Sequence, residues 1–302
     1  MRSSFQWRLR SRTVALGSRT LLMGVLNVTP DSFSDGGRFL HPQAAVERGL
    51  QMLAEGADII DVGGESTRPG VPTVREDCCA QSLAVSVSEE LRRVLPVIEG
   101  IKRAAPGALI SVDTYKSEVA RVGLAAGAEI VNDVSALRWD PDMGPALAES
   151  GCGVVLMHSR GRPDEWKTLP PLGAAVITLI SRELGEWAAA AENHGIAHDR
   201  IVIDPGFGFG KDWQENYVLL AHLQELQCLG YPLLAATSRK SFIGRAVSRP
   251  SEPANPERRL YGTLASVAAC ILKGAHIVRV HDVEAAREAA AVCDQIVAAG
   301  QF

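Results

Sequence analysis

Asn27, Asp61, Asp113, Asn132, Asp204, Lys240, Arg279 and His281 are scattered along a 302-residue chain, yet each sits at or just beyond the end of a short apolar run. The runs are those of strands buried on both faces, and a polar residue closing such a run stands where a strand leaves its sheet. A single Asp or Asn there is ordinarily a turn former or a helix cap. Recurrence at the end of strand after strand points to one shared site. Asp113, Asn132 and Asp204, in an apolar frame with Met157 and Phe209, suit a flat heterocycle with several N–H donors, such as a guanidine-like edge. Lys240 would complete that edge by reaching a carbonyl or ring nitrogen. Arg279 and His281 beside Asn27 suit a phosphate accompanied by magnesium, for which oxygen ligands are expected. The alternative for Arg279 and His281 is a salt-bridged strand end. Lys211, His41, His194 and His198 fall in helix or loop contexts and are read as solvated.

The elements that would position these residues alternate regularly. Phe5, Trp7 and Leu9 alternate with polar residues, and with 13–16 they predict a short β-hairpin. Buried strands are expected at 21–28, 58–62, 109–114, 129–134, 153–158, 201–205, 232–238 and 276–282. Helices fall between them, among them one opened by Pro42, one with a capping box at Ser86–Glu89, and a final Ala-rich helix at 283–299. Strands alternating with helices eight times, with no linker or change of composition, predict a (β/α)8 TIM barrel rather than a doubly wound open sheet. One domain is expected over 1–302, with the hairpin at 1–20 and the barrel at 21–300. In such a barrel the first and eighth strands are neighbours, which would bring Asn27 to Arg279 and His281.

Bulk properties narrow the class. A hydrophobic content of 46% is ample for one large core, and a net charge of −4 with dispersed basic residues leaves no footprint for nucleic acid or an anionic membrane surface. The six cysteines show no CxxC and no histidine spacing suited to zinc, which fits reduced thiols in the cytoplasm. No segment approaches the length of a transmembrane span, and no signal-like apolar run follows the N-terminal arginines.

Blocks in the order MGVLNVTPDSFSDGG (23–37), DVGGESTRPG (61–70), SVDTYK (111–116), VNDVS (131–135), DPGFGFG (204–210), TSRKSFIG (237–244) and VRVHD (278–282) closely resemble the dihydropteroate synthases. The resemblance implies an enzyme that joins 6-hydroxymethyl-7,8-dihydropterin diphosphate to 4-aminobenzoate, a transferase of folate biosynthesis with Mg2+ as cofactor, a sulfonamide target and a homodimer. At matching positions it implies that Asp113, Asn132, Met157, Asp204, Phe209 and Lys240 hold the pterin. Asn27, Arg279 and His281 would hold the diphosphate, with Asn27 on the metal. Phe33, Thr67, Arg68, Pro69 and Ser241, with Phe209 at the border, would form the 4-aminobenzoate pocket. Lys240, Asp204, Arg279 and Asp35 would act in the chemistry, with Asp35 stabilising a cation at the pterin methylene.

Two stretches depart from the family pattern. The segment between Gly70 and Ser86 is longer than expected and contains Cys78-Cys79, and 158–163 (HSRGRP) with Trp166 replaces a usually Met-rich stretch. The second lies at the rim, where little effect on chemistry is expected. The rival readings are a pterin-binding methyltransferase barrel and a non-catalytic pterin-binding paralogue.

Overall fold

A computed structural model describes residues 2–29, 42–66, 70–74, 84–249 and 254–300. Its elements are β1 (Phe5–Arg8), β2 (Thr13–Leu16), β3 (Leu21–Asn27), α1 (Pro42–Glu55), β4 (Ile59–Gly63), α2 (Val87–Ala104), β5 (Leu109–Asp113), α3 (Ser117–Ala125), β6 (Ile130–Asp133) and α4 (Met143–Ser150). They continue with β7 (Gly153–Met157), α5 (Val176–Asn193), β8 (Ile201–Asp204), α6 (Trp213–Ala221), β9 (Leu234–Ala235), α7 (Ser241–Val247), α8 (Leu260–Leu272), β10 (Ile277–Val280) and α9 (Val283–Ala299).

The parallel sheet runs β8-β7-β6-β5-β4-β3-β10-β9, and a parallel bridge from Ile203 to Leu233 closes it into the expected TIM barrel. β3 pairs with β10, so the first and last barrel strands are indeed neighbours. The strand expected over 232–238 is reduced to Leu234–Ala235, because the chain turns away early to build the Ser238–Lys240 corner and the short helix α7.

Side chains alternate between the two faces of each strand. Residues on one face pack outward against the helices, as Val62, Val112, Val131 and Val154 do. The other face fills the barrel with Met23, Ile59, Ile130, Val155, Val202, Leu234 and Ile277. The β1–β2 hairpin plugs the floor of this inner core. Trp7 and Leu16 are buried in it, and the Trp7 indole N–H donates to the Arg200 carbonyl at 2.9 Å. β7 starts with Gly153 because a Cβ there would lie 2.4 Å from Leu9 and 3.0 Å from the Trp7 ring.

One local expectation is half met. Ser86 caps α2 by accepting from the Glu89 N–H at 3.2 Å, but the Glu89 carboxylate takes Arg92 and Arg93 instead of closing a capping box. The stronger arginine partners displace the weaker return bond. A full box stands at Asp212 and Glu215, at the start of α6.

Candidate active site

Because the strands keep one parity inside the barrel, the inward residues two positions above the apolar core form a single layer. On successive strands from β3 to β10 it contains Val25, Asp61, Ser111, Asn132, Met157, Asp204, Ala236 and Arg279. One step higher lie Asn27, Gly63, Asp113, Val134, Ser238 and His281. Tyr115, Val134 and Met157, with Trp139 and Phe209 against them, make an apolar wall on one side of the mouth.

Arg279 joins the two layers. Its Nε donates to Asp61 and its Nη2 to Asp113, both at 2.6 Å. The same Asp61 oxygen accepts from the Asn132 amide at 3.0 Å, while the other, fully buried, has no protein partner. Burial alone would favour a neutral guanidine, but the two carboxylates overcome it and hold Arg279 firmly charged. Burial pushes Asp113 up to about 7, against the opposing pull of Arg279 and with Asp61 reinforcing the rise. Asp204 is also raised by burial, although its carboxylate accepts from the Gly206 N–H at 2.8 Å.

Lys240 stands across the mouth with its amine 3.9 Å from the centre of the Phe209 ring. Burial lowers it to about 7, with Asp204 opposing. His281 bonds through Nδ1 to the Ser238 hydroxyl at 3.0 Å, and burial with the nearby Arg279 holds it neutral, down to about 3. Asn27 is half-buried at the end of β3, and Ser241 is exposed as the first residue of α7. The mouth therefore gathers Asn27, Asp113, Asn132, Met157, Asp204, Phe209, Lys240, Arg279 and His281. Phe33, Asp35, Thr67, Arg68 and Pro69, like His41, Cys78 and Cys79, lie outside the described residues.

Magnesium takes oxygen ligands and often only one or two from protein, the rest being water and substrate phosphate. Asn27 supplies one amide oxygen at the rim, and among the described residues no three His, Cys, Asp or Glu side chains gather as a metal site. That donor set fits an ion carried in on a diphosphate.

One residue is not where the sequence put it, and two others beyond β7 take partners that no sequence pattern announced. Lys211 is buried, not solvated: its amine donates to the carbonyls of His158, Gly206 and Phe209 at 3.2, 2.8 and 3.2 Å. His158 follows Met157 but points outward, bonding Glu183 at 3.0 Å and stacking on Trp187. Arg162, in the divergent stretch after β7, donates to Thr73 Oγ1 and the Val74 carbonyl at 2.8 and 2.7 Å, and Pro163 accepts from Gly70 N–H. The two divergent stretches thus touch one another.

Sequence reading also passed over the supports of the mouth. Arg239 adopts a left-handed backbone (φ 58°) and is fixed by Asp282, which takes its guanidinium at 3.0 and 2.5 Å, and by Thr263, which accepts from its N–H. That strained residue aims Ser238 and Lys240 in different directions. Lys116 lies between Glu65 and Glu90 at 2.6 and 2.5 Å and also donates to the Val85 carbonyl. The signal for Arg239 was its place between two site residues; for Lys116 it was a lysine next to a strand end. A cavity of about 470 Å3 lies beside the mouth, lined by Gly208, Lys211 and Ser241 and walled by Trp166, Trp213 and Arg245. None of the carboxylates of the inner layers lines it.

The model of the pterin binding enzyme family matches residues 23–281, which begin in β3 and end at the rim histidine. The chain belongs to that family. Within it, the chain is 44% identical over 278 residues to dihydropteroate synthase of Escherichia coli (strain K12), covering 92% of each. It superposes on the Xanthomonas albilineans dihydropteroate synthase solved with 4-aminobenzoic acid with a TM-score of 0.86 at 44% identity, covering 98% of this chain and 99% of the other. The same Xanthomonas enzyme in complex with 7,8-dihydropteroate gives 0.81 at 42% identity, with 96% and 99% covered. These pterin-binding relatives are synthases, which sets aside the methyltransferase alternative.

Proposed function

We propose that this chain is a dihydropteroate synthase, condensing 6-hydroxymethyl-7,8-dihydropterin diphosphate with 4-aminobenzoate and releasing diphosphate. The observation that carries it is the pair of layers in the mouth: Asn132, Asp204 and Arg279 in the lower one, with Arg279 bonded up to Asp113, and Asn27 and His281 in the upper one on the strands either side of the β3–β10 seam.

The pterin's guanidine-like edge meets Asp113, Asn132 and Asp204, with Met157 on the apolar side and the Lys240 amine at a ring nitrogen or carbonyl. An N–H donor arriving at Asp113 competes with Arg279 Nη2. Asp61 keeps the other bond, so the guanidinium pivots on Nε and turns its free edge towards the diphosphate, where His281 and Asn27 stand. Asn27 would help to hold a magnesium ion carried in on the diphosphate, and that ion would supply positive charge to the leaving group. The methylene carbon–oxygen bond then breaks with its electron pair leaving on the diphosphate. The electron-rich pterin tolerates the cation left behind, and Asp204 and Asp113 favour it electrostatically. The neutral arylamine attacks the methylene carbon, a C–N bond forms, and the amine proton passes to water. A weakly basic amine needs no strong base. Phe209 and Ser241 border the side from which it enters, with Phe33, Asp35, Thr67, Arg68 and Pro69 assigned there by resemblance.

The chain is read as cytoplasmic, in keeping with four free cysteines among the described residues. No described helix is long and apolar enough to cross a membrane. A homodimer built on α8 and α9 accounts for the exposed Tyr261, Leu272, Val292 and Ile296.

The test is diphosphate release from the pterin substrate with magnesium, with and without 4-aminobenzoate, beside Lys240→Ala. Aminobenzoate-dependent release that is lost in the variant supports the synthase. Pterin binding with no release would support a non-catalytic paralogue.

A further inference from the structure

The glycine-rich loop after β8 makes its closest approach to the end of β7. At Gly206 (φ 66°) a Cβ would stand 1.9 Å from the His158 carbonyl oxygen, so only glycine fits. The approach turns the carbonyls of His158, Gly206 and Phe209 towards one point, and the Lys211 amine occupies it. Three acceptors use all three N–H bonds of an ammonium, whereas a neutral amine has two to give. Burial pulls this amine well below its ordinary value, with Asp204 opposing that shift, and the three carbonyls offer a partner for each N–H of the charged form. From this anchor the loop carries Phe209, whose ring lies under the Lys240 amine at 3.9 Å. The stem of Lys240 passes over Gly208, 3.3 Å from where a Cβ would be.

We propose that Lys211 is a positioning residue of the reaction: it fastens the 206–210 loop to the end of β7 and so sets the Phe209 ring as the seat of the Lys240 amine. This deepens the synthase reading and rests on it for the substrates. Lys211 reaches neither substrate by itself. Its effect passes through Phe209, which borders the pterin and the aminobenzoate sides, to Lys240, whose proton balance depends on being kept from water.

The experiment compares Lys211→Met, Phe209→Leu and the double variant with the parent. Losing a buried hydrogen-bonding hub predicts about a tenfold rise in the aminobenzoate KM for Lys211→Met, with the pterin diphosphate KM changed less than about twofold. The pH midpoint for amine labelling of Lys240, followed by mass spectrometry and needing no turnover, should rise in Lys211→Met. In the Phe209→Leu background, removing Lys211 should move neither quantity further. Additive effects, an unmoved midpoint, or equal rises in both KM values with a lowered melting temperature would overturn the proposal. If Lys211→Met does not fold, Lys211→Gln, which keeps two N–H donors, carries the same comparison. A parent protein with no aminobenzoate-dependent release would count against the synthase reading, while the labelling midpoints still decide whether Lys211 seats Lys240.

Discussion

Asp61 on β4 and Arg279 on β10 meet inside the barrel at 2.6 Å, 218 residues apart in sequence, and the carboxylate is fully buried. Asp61 therefore sets the direction of the arginine and, through the Asn132 amide, of a second site residue. Removing one partner of a buried ion pair typically costs about 3–5 kcal/mol, because the other charge is left uncompensated. Asp61→Ala should lose stability on that scale in thermal or urea unfolding. Asp61→Asn, which keeps the shape but not the charge, should fold yet lose at least about tenfold in kcat/KM for the pterin diphosphate. Normal kinetics in a folded Asp61→Asn would remove Asp61 from the site.

Asp113 and Lys240 both titrate at about 7, each displaced mainly by burial and in opposite senses. Asp113 must be ionised to accept pterin N–H donors, and Lys240 must be protonated to donate. The dependence of kcat/KM on pH should be a narrow bell centred near neutrality, since this quantity reports the free enzyme. Asp113→Asn should flatten the acid limb and leave the alkaline one. The stability sign follows from the same shift. A carboxyl whose folded pKa is raised contributes stability below its unfolded value of about 4, and that contribution is lost as pH rises towards 7. The ligand-free melting temperature should accordingly fall between these limits, relative to Asp113→Asn.

What could be read in advance and what could not have one geometric origin. A parallel strand buried on both faces displays its last inward residues as breaks in an apolar run, so Asn132 after Ile130 and Asp204 after Val202 were legible one strand at a time. The barrel followed from the count of such strands. Asp61 and Asp113 look alike in sequence, but the register sets Asp61 against Ser111 and Gly63 against Asp113. One is therefore an internal support and the other faces the mouth, a difference of one step that needs the pairing. Lys211 was misread because its partners are backbone carbonyls, which carry no sequence signature. Arg162 and Thr73 meet across the mouth from different loops, and no local pattern announces that.

Arg162 should prove more than a rim residue. It holds Thr73 and Val74, its guanidinium lies 4.8 Å over the Trp139 ring, and Trp139 packs edge-on against Tyr115, whose hydroxyl accepts from the Val74 N–H. Residues 70–74 directly follow the stretch assigned to aminobenzoate. Arg162→Ala should raise the aminobenzoate KM several-fold, on the order of 1–2 kcal/mol for lost charge-assisted hydrogen bonds, with the pterin diphosphate KM unmoved. Equal effects on the two substrates would show a general loosening instead.

The outer face of α8 and α9 tests the assembly. From Leu260 to Leu272, α8 contains no charged residue, and Tyr261, Ala265 and Leu272 fall along one side of it at helical spacing. Tyr261 is 84% exposed, and the neighbouring α9 adds Val292 at 63% and Ile296 at 53%. Large apolar side chains clustered on two packed helices cost free energy in water unless something covers them, and a twofold axis lets the patch cover itself. A stable interface needs roughly 800 Å2 from each partner, which two helices of this length can present. Sedimentation velocity should therefore give a dimer. Val292→Glu with Ile296→Glu should give a folded monomer, because like charges would be buried against each other across the axis. Both substitutions lie on the outside of the barrel, so turnover per chain should persist in the monomer. A parent that sediments as a monomer would leave the patch to another partner.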